Sequence, residues 1–234
     1  MTDAPRYAIY YAAVPDSALD RFGARLLGYD AFSGEALPFP DGMEPAAPDW
    51  REITRDPRKY GFHATLKAPM ALADGKTEAE LLAACYSFAR SPRPLPEIKP
   101  VVNEIGDFIA VVPSQRSAEL EQLAADTVSA FDGFRAPMTP ADRARRHPER
   151  LTQRQRDHLD RWGYPYVMEE FRFHMTLTGR LPAERREAVL AILRQRFAAV
   201  ELEMLAIDSI AVFRQPDTKS RFKIVQQFEL TRKP

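Results

Sequence analysis

The sequence predicts an α+β fold with a mainly antiparallel sheet. Three observations carry this. Two β-prone stretches, at 62–66 and 173–177, both read Phe-His-x-Thr-Leu. Amphipathic stretches at helical spacing lie around and between them, several with recognisable caps. Strand-like runs come in pairs joined by short Gly/Asp or Pro/Asp turns, the connection that antiparallel neighbours use. Each half of the chain repeats helix, motif strand, helix, strand pair, so strands and helices are segregated as in α+β folds.

Taken in order, Arg6–Val14 is uncharged after Arg6 and β-prone, with three tyrosines, Ile9 and Val14, which suits a central strand. Ser17 starts a helix to about Leu27, with Leu19, Phe22, Leu26 and Leu27 on one face, and Gly28 ends it. Residues 31–57 are rich in Pro, Gly and Asp and read as a long loop, either functional or mobile, and a candidate lid. Trp50 within it covers a pocket or, more commonly for a tryptophan, anchors the loop on the core. The first motif strand follows. Thr77 and Glu80 have capping-box spacing at the start of a helix to Arg90. Three prolines between 91 and 96 forbid helix. Strands near 97–104 and 107–113 then form a hairpin at Gly106-Asp107.

The second half opens with a helix from about Ser117 to Phe131, striped by Leu120, Leu123, Ala124, Val128 and Phe131. Residues 141–161 carry seven arginines against four acids. They read as a solvated helix pair with internal ion pairs, or as a phosphate-catching patch. His147 and His158 lie there, in no motif and expected on the surface. After the second motif strand, Pro182 opens a helix to about Ala198, and strands near 200–214 and 221–230 close the chain around the Gln215-Pro216-Asp217 turn.

Length and composition set further bounds. At 234 residues and 45% hydrophobic content the chain is one large domain or two small lobes with a sizeable core. Lys+Arg and Asp+Glu are both 33, so no global positive field draws in duplex DNA, and a small anionic substrate fits better. The lone Cys85 excludes an intramolecular disulfide and suits a buried helix face. No apolar run is long enough to span a membrane, and Met1–Arg6 lacks a signal-peptide core, so the expected setting is the cytoplasm, with no membrane partner.

In a strand, side chains alternate between faces. His63, Thr65 and Lys67 therefore share one face, opposite Phe62, Ala64 and Leu66, and His174, Thr176 and Thr178 share one face of the second copy. One His-x-Thr-Leu is weak evidence, because an ordinary strand histidine explains it. The same pattern on two of only four histidines is not readily accidental. Two such strands about half a chain apart resemble the signature of the two-histidine phosphoesterases, which include the LigT-like cyclic phosphodiesterases. The phrases Tyr60–Pro69 and Phe171–Gly179 are similar to a branch commonly encoded beside bacterial phosphonate-degradation genes. The resemblance implies a single bilobal domain over 1–234, with lobe one to about residue 115 and lobe two from about 116. It also implies two pseudo-symmetric lobes, each a mainly antiparallel sheet with helices on its outer side, around a central cleft, with strand exchange between lobes open.

That resemblance implies a metal-independent cyclic phosphodiesterase, and the residue types suit the chemistry. Two histidines in opposite protonation states can take a proton from water and give one to the leaving alkoxide. A threonine two places from each can donate to a non-bridging oxygen. The expected catalytic pair is His63 and His174, with Thr65 and Thr176 binding phosphate. Lys67, Thr178, Tyr60 and Tyr10 are candidate substrate contacts, Tyr60 only if Gly61 bends the strand. Lys67 is alternatively an ordinary exposed strand lysine. Arg6, Arg214, Arg221 and Lys223 are able to reach the site from neighbouring strands. Zinc is disfavoured because neither motif has an acid or cysteine at ligand spacing, and no cofactor is expected. Neither a Gly-rich dinucleotide loop nor a P-loop is present. A monomer acting on a small cyclic phosphate or nucleotide-like substrate is the leading expectation. The alternative is a non-catalytic module that clamps RNA or nucleotide ends.

Overall fold

A computed structural model describes residues 4–233; of the N-terminal stretch considered above, Met1–Asp3 lie outside it. The strands are β1 (Arg6–Tyr11), β2 (Ala64–Ala71), β3 (Glu97–Ile98), β4 (Pro100–Ile105), β5 (Phe108–Pro113), β6 (Met175–Thr176), β7 (Leu205–Ala206), β8 (Ser209–Gln215) and β9 (Lys223–Glu229). Seven form one sheet in the order β4-β5-β6-β2-β1-β8-β9, every pairing antiparallel, and β3 and β7 form a small second sheet. The α+β class with a mainly antiparallel sheet is therefore what the chain adopts.

Connectivity is exchanged across the sheet's middle. The hairpin β4–β5, from the first half of the chain, flanks the second motif strand β6. The hairpin β8–β9, from the second half, extends the sheet beyond β1 and the first motif strand β2. About the β2–β6 junction, β6-β5-β4 answers β2-β1-β8, with β9 as an extra edge.

The principal helices are α1 (Ala18–Leu27), α5 (Glu78–Arg90), α6 (Ala118–Phe131), α8 (Gln153–Trp162) and α9 (Ala183–Ala198); α2 (Met43–Ala46), α3 (Trp50–Ile53), α4 (Arg55–Arg58) and α7 (Pro140–Ala144) are short. Their ends follow local chemistry. Ser17 accepts from Asp20 N, and Gly28 closes α1 in the left-handed region. Thr77 and Glu80 form the capping box of α5. The main core lies between the helices and one sheet face, and takes Tyr7, Ile9 and Tyr11 from β1, Ala64 and Leu66 from β2, and Met175 from β6. Cys85 is buried there, and burial pushes its thiol up to about 12. The opposite face carries a smaller cluster of Ala8, Tyr10, Ala12, Tyr29, Ala31, Ala211, Phe213 and Phe222.

Residues 31–57, read above as an irregular loop, instead contain the three one-turn helices α2, α3 and α4. Trp50 is fully buried and donates from Nε1 to Leu26 O at 2.8 Å, so it anchors this segment on α1. Arg58 is buried too and spans the same junction, donating to Leu27 O and, at 3.1 Å, to Arg51 O. Among residues 141–161, Arg143 forms a two-bond pair with Asp160 (2.7 and 3.1 Å), and Arg145 pairs with Asp142. His158, expected on the surface, has a side chain only 14% exposed and lies 3.3 Å from Glu169.

Truncating Trp50 removes a fully buried indole and its hydrogen bond. Trp50→Ala is expected to lower unfolding free energy by about 3–5 kcal/mol, read as a shifted midpoint in urea denaturation.

Candidate active site

Backbone pairing at the centre of the sheet positions the site. Ala64 of β2 is the antiparallel partner of Met175 of β6. Both side chains are fully buried in the helix-side core. The residues on either side of each must then point to the other face. One step along the antiparallel register sets Thr65 across from His174 and His63 across from Thr176. The histidines stand on the diagonal of this four-residue patch, where Cα atoms lie about 7–8 Å apart. All four side chains are half-buried.

The approach to the first motif uses glycine twice. Gly61 has φ +76°, and a Cβ there would lie 2.7 Å from Ala31 Cβ. Beyond this turn Tyr60 lies beside His63, with ring centroids 6.0 Å apart. Phe62 packs against α1 where Gly23 has no side chain; a Cβ on Gly23 would fall 2.0 Å from the Phe62 ring. His63 thus follows an anchored residue.

Both imidazoles are held alike. His63 Nδ1 lies 2.9 Å from Gly61 O, and His174 Nδ1 lies 2.7 Å from Arg172 O. A carbonyl only accepts, so each Nδ1 carries the hydrogen and each Nε2 presents its lone pair. Thr65 Oγ1 lies 3.4 Å from His63 Nε2. The surroundings of the two rings differ. His63 stacks on Tyr10 with centroids 3.8 Å apart and planes 22° apart, and has Phe213 at 5.8 Å and Tyr60 at 6.0 Å. His174 has Phe108 at 5.6 Å. Burial lowers His63 to about 4; the Gly61 bond opposes this and the charge of His174 adds to it. Burial also lowers His174, against its bond to Arg172.

The remaining candidates divide. Tyr10 is 1% exposed and lies beneath His63, its phenol within reach of Thr65 and raised well above its ordinary value by burial. It is a floor rather than a surface open to a ligand. Tyr60 is half-buried and stacks on Phe222 at 5.1 Å, beside His63. Lys67 departs from strand alternation. Tyr10 pairs with Thr65 and Ile9 with Lys67, so one residue of β1 matches two of β2 in a bulge at Leu66–Lys67. The bulge turns Lys67 to the helix side. There it is 3% exposed and donates to Asp132 Oδ1 at 3.0 Å and Val128 O at 3.1 Å. It faces neither the His/Thr patch nor solvent. Thr178 is fully buried, and its hydroxyl accepts from Ile109 N at 3.0 Å, which takes it out of any substrate contact. Arg214 stands beside Tyr7 and Glu78 on the helix side, Arg221 lies over Tyr29, and Lys223 packs on Gly34.

Phe213, Phe222 and Tyr164 lie outside both motifs and were not among the candidates. Burial raises the Tyr164 phenol, which stands near Tyr10. These residues come from separate strands and loops with no shared spacing, so only the fold collects them. Among the described residues no group of three or more His, Cys, Asp or Glu is placed to hold a metal ion. No helix among them is long and apolar enough to cross a membrane. Two concavities elsewhere, one lined by Arg21, Arg25 and Arg196 and one by Asp132, Arg135, Arg143 and Asp160, include neither motif.

Residues 65–223 match the family model described as "Protein of unknown function (DUF1045)". The chain is 37% identical over 216 residues to a protein of Janthinobacterium sp. (strain Marseille) named ribose 1,5-bisphosphate phosphokinase PhnN, aligning 90% of this chain with 47% of that one. It is 31% identical over 222 residues to the protein of that name from Laribacter hongkongensis (strain HLHK9), 94% against 50%. It therefore spans about half the length of these curated relatives. Similar solved structures include E. coli LigT with NADP+ (TM-score 0.44, 12% identity, covering 99% of this chain and 100% of that one). E. coli LigT with 3'-AMP is another (TM-score 0.45, 11% identity, 98% and 99%).

Burial pushes both groups down, so the neutral form of each ring is favoured relative to a free imidazole, most strongly for His63. Long-range ¹H–¹⁵N NMR at pH 8, where both rings are neutral, is expected to show the Nδ1–H tautomer for both motif histidines. On acidification His63 is expected to titrate last, near pH 4.

Proposed function

The chain belongs to the DUF1045 family, and we propose that it is a cyclic phosphodiesterase that opens a small cyclic phosphate by His/His acid–base catalysis without a metal. One observation carries this reading. A single antiparallel register collects two imidazoles, each with Nδ1–H pinned on a backbone carbonyl, and two threonine hydroxyls on one face, with Thr65 Oγ1 3.4 Å from His63 Nε2.

In the proposed reaction the phosphate sits between His63 and His174. Thr65 and Thr176 donate to its non-bridging oxygens, where negative charge grows. One neutral imidazole takes a proton from water through Nε2 as the water oxygen bonds to phosphorus. The other, protonated at Nε2, gives its proton to the ring ester oxygen as that P–O bond breaks. The product is a phosphomonoester with one freed hydroxyl, and the proton has moved from one histidine to the other. The aromatic enclosure of His63 favours its neutral form, and the charge of His174 reinforces that. In ring opening His63 is therefore the base and His174 the acid.

The relatives suggest the substrate. Their name concerns a ribose bisphosphate, and this chain matches about half of each. Gly75-Lys76-Thr77 has the end of a P-loop, but Met70 stands where that motif needs its first glycine, so the named kinase activity is not transferred. A ribose cyclic phosphate, opened to a sugar phosphate in phosphonate metabolism, fits this setting. The alternative of a non-catalytic RNA-end clamp drew on the arginines of 141–161, and acids neutralise several of those.

With a chelator present, replacing His63 or His174 singly by Ala is expected to lower kcat on a ribose cyclic phosphate by about 10²–10⁴-fold. Near-parent turnover in either variant contradicts the pairing.

A further inference from the structure

Arg6 lies on the same face of β1 as Tyr10, with only the small Ala8 between them, while Tyr7, Ile9 and Tyr11 face the helices. Its guanidinium is fixed without being neutralised. Gln215, 3% exposed and directly across the ladder, accepts from Arg6 Nε at 2.8 Å and also from Nη2. Gln215 is itself held, donating to Ser220 O at 2.8 Å. Among the described residues no ion pair includes Arg6. By contrast, Arg143 and Arg145 are paired with acids, and Arg214 reaches Glu78. Arg6 stands 5.5 Å from the centre of Phe222, the ring on which Tyr60 stacks beside His63. Its charge is felt at the Tyr10 phenol.

Among the described residues no hydrogen bond uses Arg6 Nη1, so this half-buried arginine, held by a neutral amide, offers that edge to an incoming anion, and its planar fork matches phosphate oxygens. Four residues along a strand separate Cα atoms by roughly 13 Å. A sugar with phosphates at opposite ends, met by an arginine side chain, spans that gap.

We propose that Arg6 forms a second anion subsite for a terminal phosphomonoester, so that the preferred substrate is a cyclic phosphodiester bearing a second phosphate group. This rests on the cyclic phosphodiesterase reading and narrows its substrate class.

The test compares kcat/KM for ribose 1,2-cyclic phosphate with and without a 5-phosphate, in the parent, Arg6→Gln and Arg6→Lys. The parent is expected to prefer the 5-phosphorylated compound by about ten- to a hundredfold, mainly through KM. That ratio is expected to fall to near one in Arg6→Gln and to recover partly in Arg6→Lys, which keeps the charge and controls for folding. No preference in the parent, or a preference that survives Arg6→Gln, overturns the subsite. Calorimetry with a pentose 1-phosphate, with and without a 5-phosphate, reads binding without chemistry. If the parent hydrolyses neither cyclic compound, the cyclic phosphodiesterase reading fails, and calorimetry alone decides the subsite. Tighter binding of the bisphosphate by at least about tenfold, lost in Arg6→Gln, then sustains it, and equal affinities overturn it.

Discussion

The pairing of Ala64 with Met175 is the constraint on which the rest of the site depends. It is the single ladder contact joining β2 to β6, and it joins sheet segments whose strands come from both halves of the chain. Since the side-chain period of a strand is two, this one match decides four orientations together. Both small or flexible apolar side chains go into the helix-side core, and both His/Thr pairs go to the other face. A one-residue slip would bury the histidines and expose Met175. The buried apolar set around Ala64, Leu66, Phe173, Met175 and Leu177 resists that slip. Packing on one face therefore enforces the geometry on the other.

How much of this was legible in the sequence depends on the range of the interaction involved. Caps, helix stripes and the β4–β5 hairpin are local, and Ser17, Gly28, Thr77, Glu80 and Gly106-Asp107 announced them. The sharing of a face by each His/Thr pair followed from alternation alone. The position of Lys67 did not follow, because the bulge that turns it toward Asp132 is set by the match between β1 and β2. Thr178 carried the same polar signal as Thr176, yet its hydroxyl closes the backbone at Ile109. β6 is only two residues long, so strand propensity could not delimit it; its neighbours β2 and β5 do. The one-turn helices of 43–58 lie under the long-range anchor of Trp50 on Leu26 and had no periodicity to read.

The two motifs are alike in sequence and in the carbonyl that holds each Nδ1, but not in surroundings. His63 lies against Tyr10, with Phe213 and Tyr60 close by; the first motif's neighbours β1 and β8 supply two of these rings. A pair of imidazoles in equivalent environments would share one proton evenly. Desolvation of His63 and the charge of His174 bias that proton toward the second motif. The asymmetry between the two imidazoles thus arises from the sheet's different flanks, and the proposed acid–base reaction draws on it.

The central claim is that His63 and His174 address one phosphorus atom from two sides. A crystal structure of the protein grown with vanadate tests it most directly. The expected result is a single vanadate within hydrogen-bond distance of both Nε2 atoms and of the Thr65 and Thr176 hydroxyls. Vanadate held by one motif alone, with the other imidazole turned to a separate environment, would contradict it.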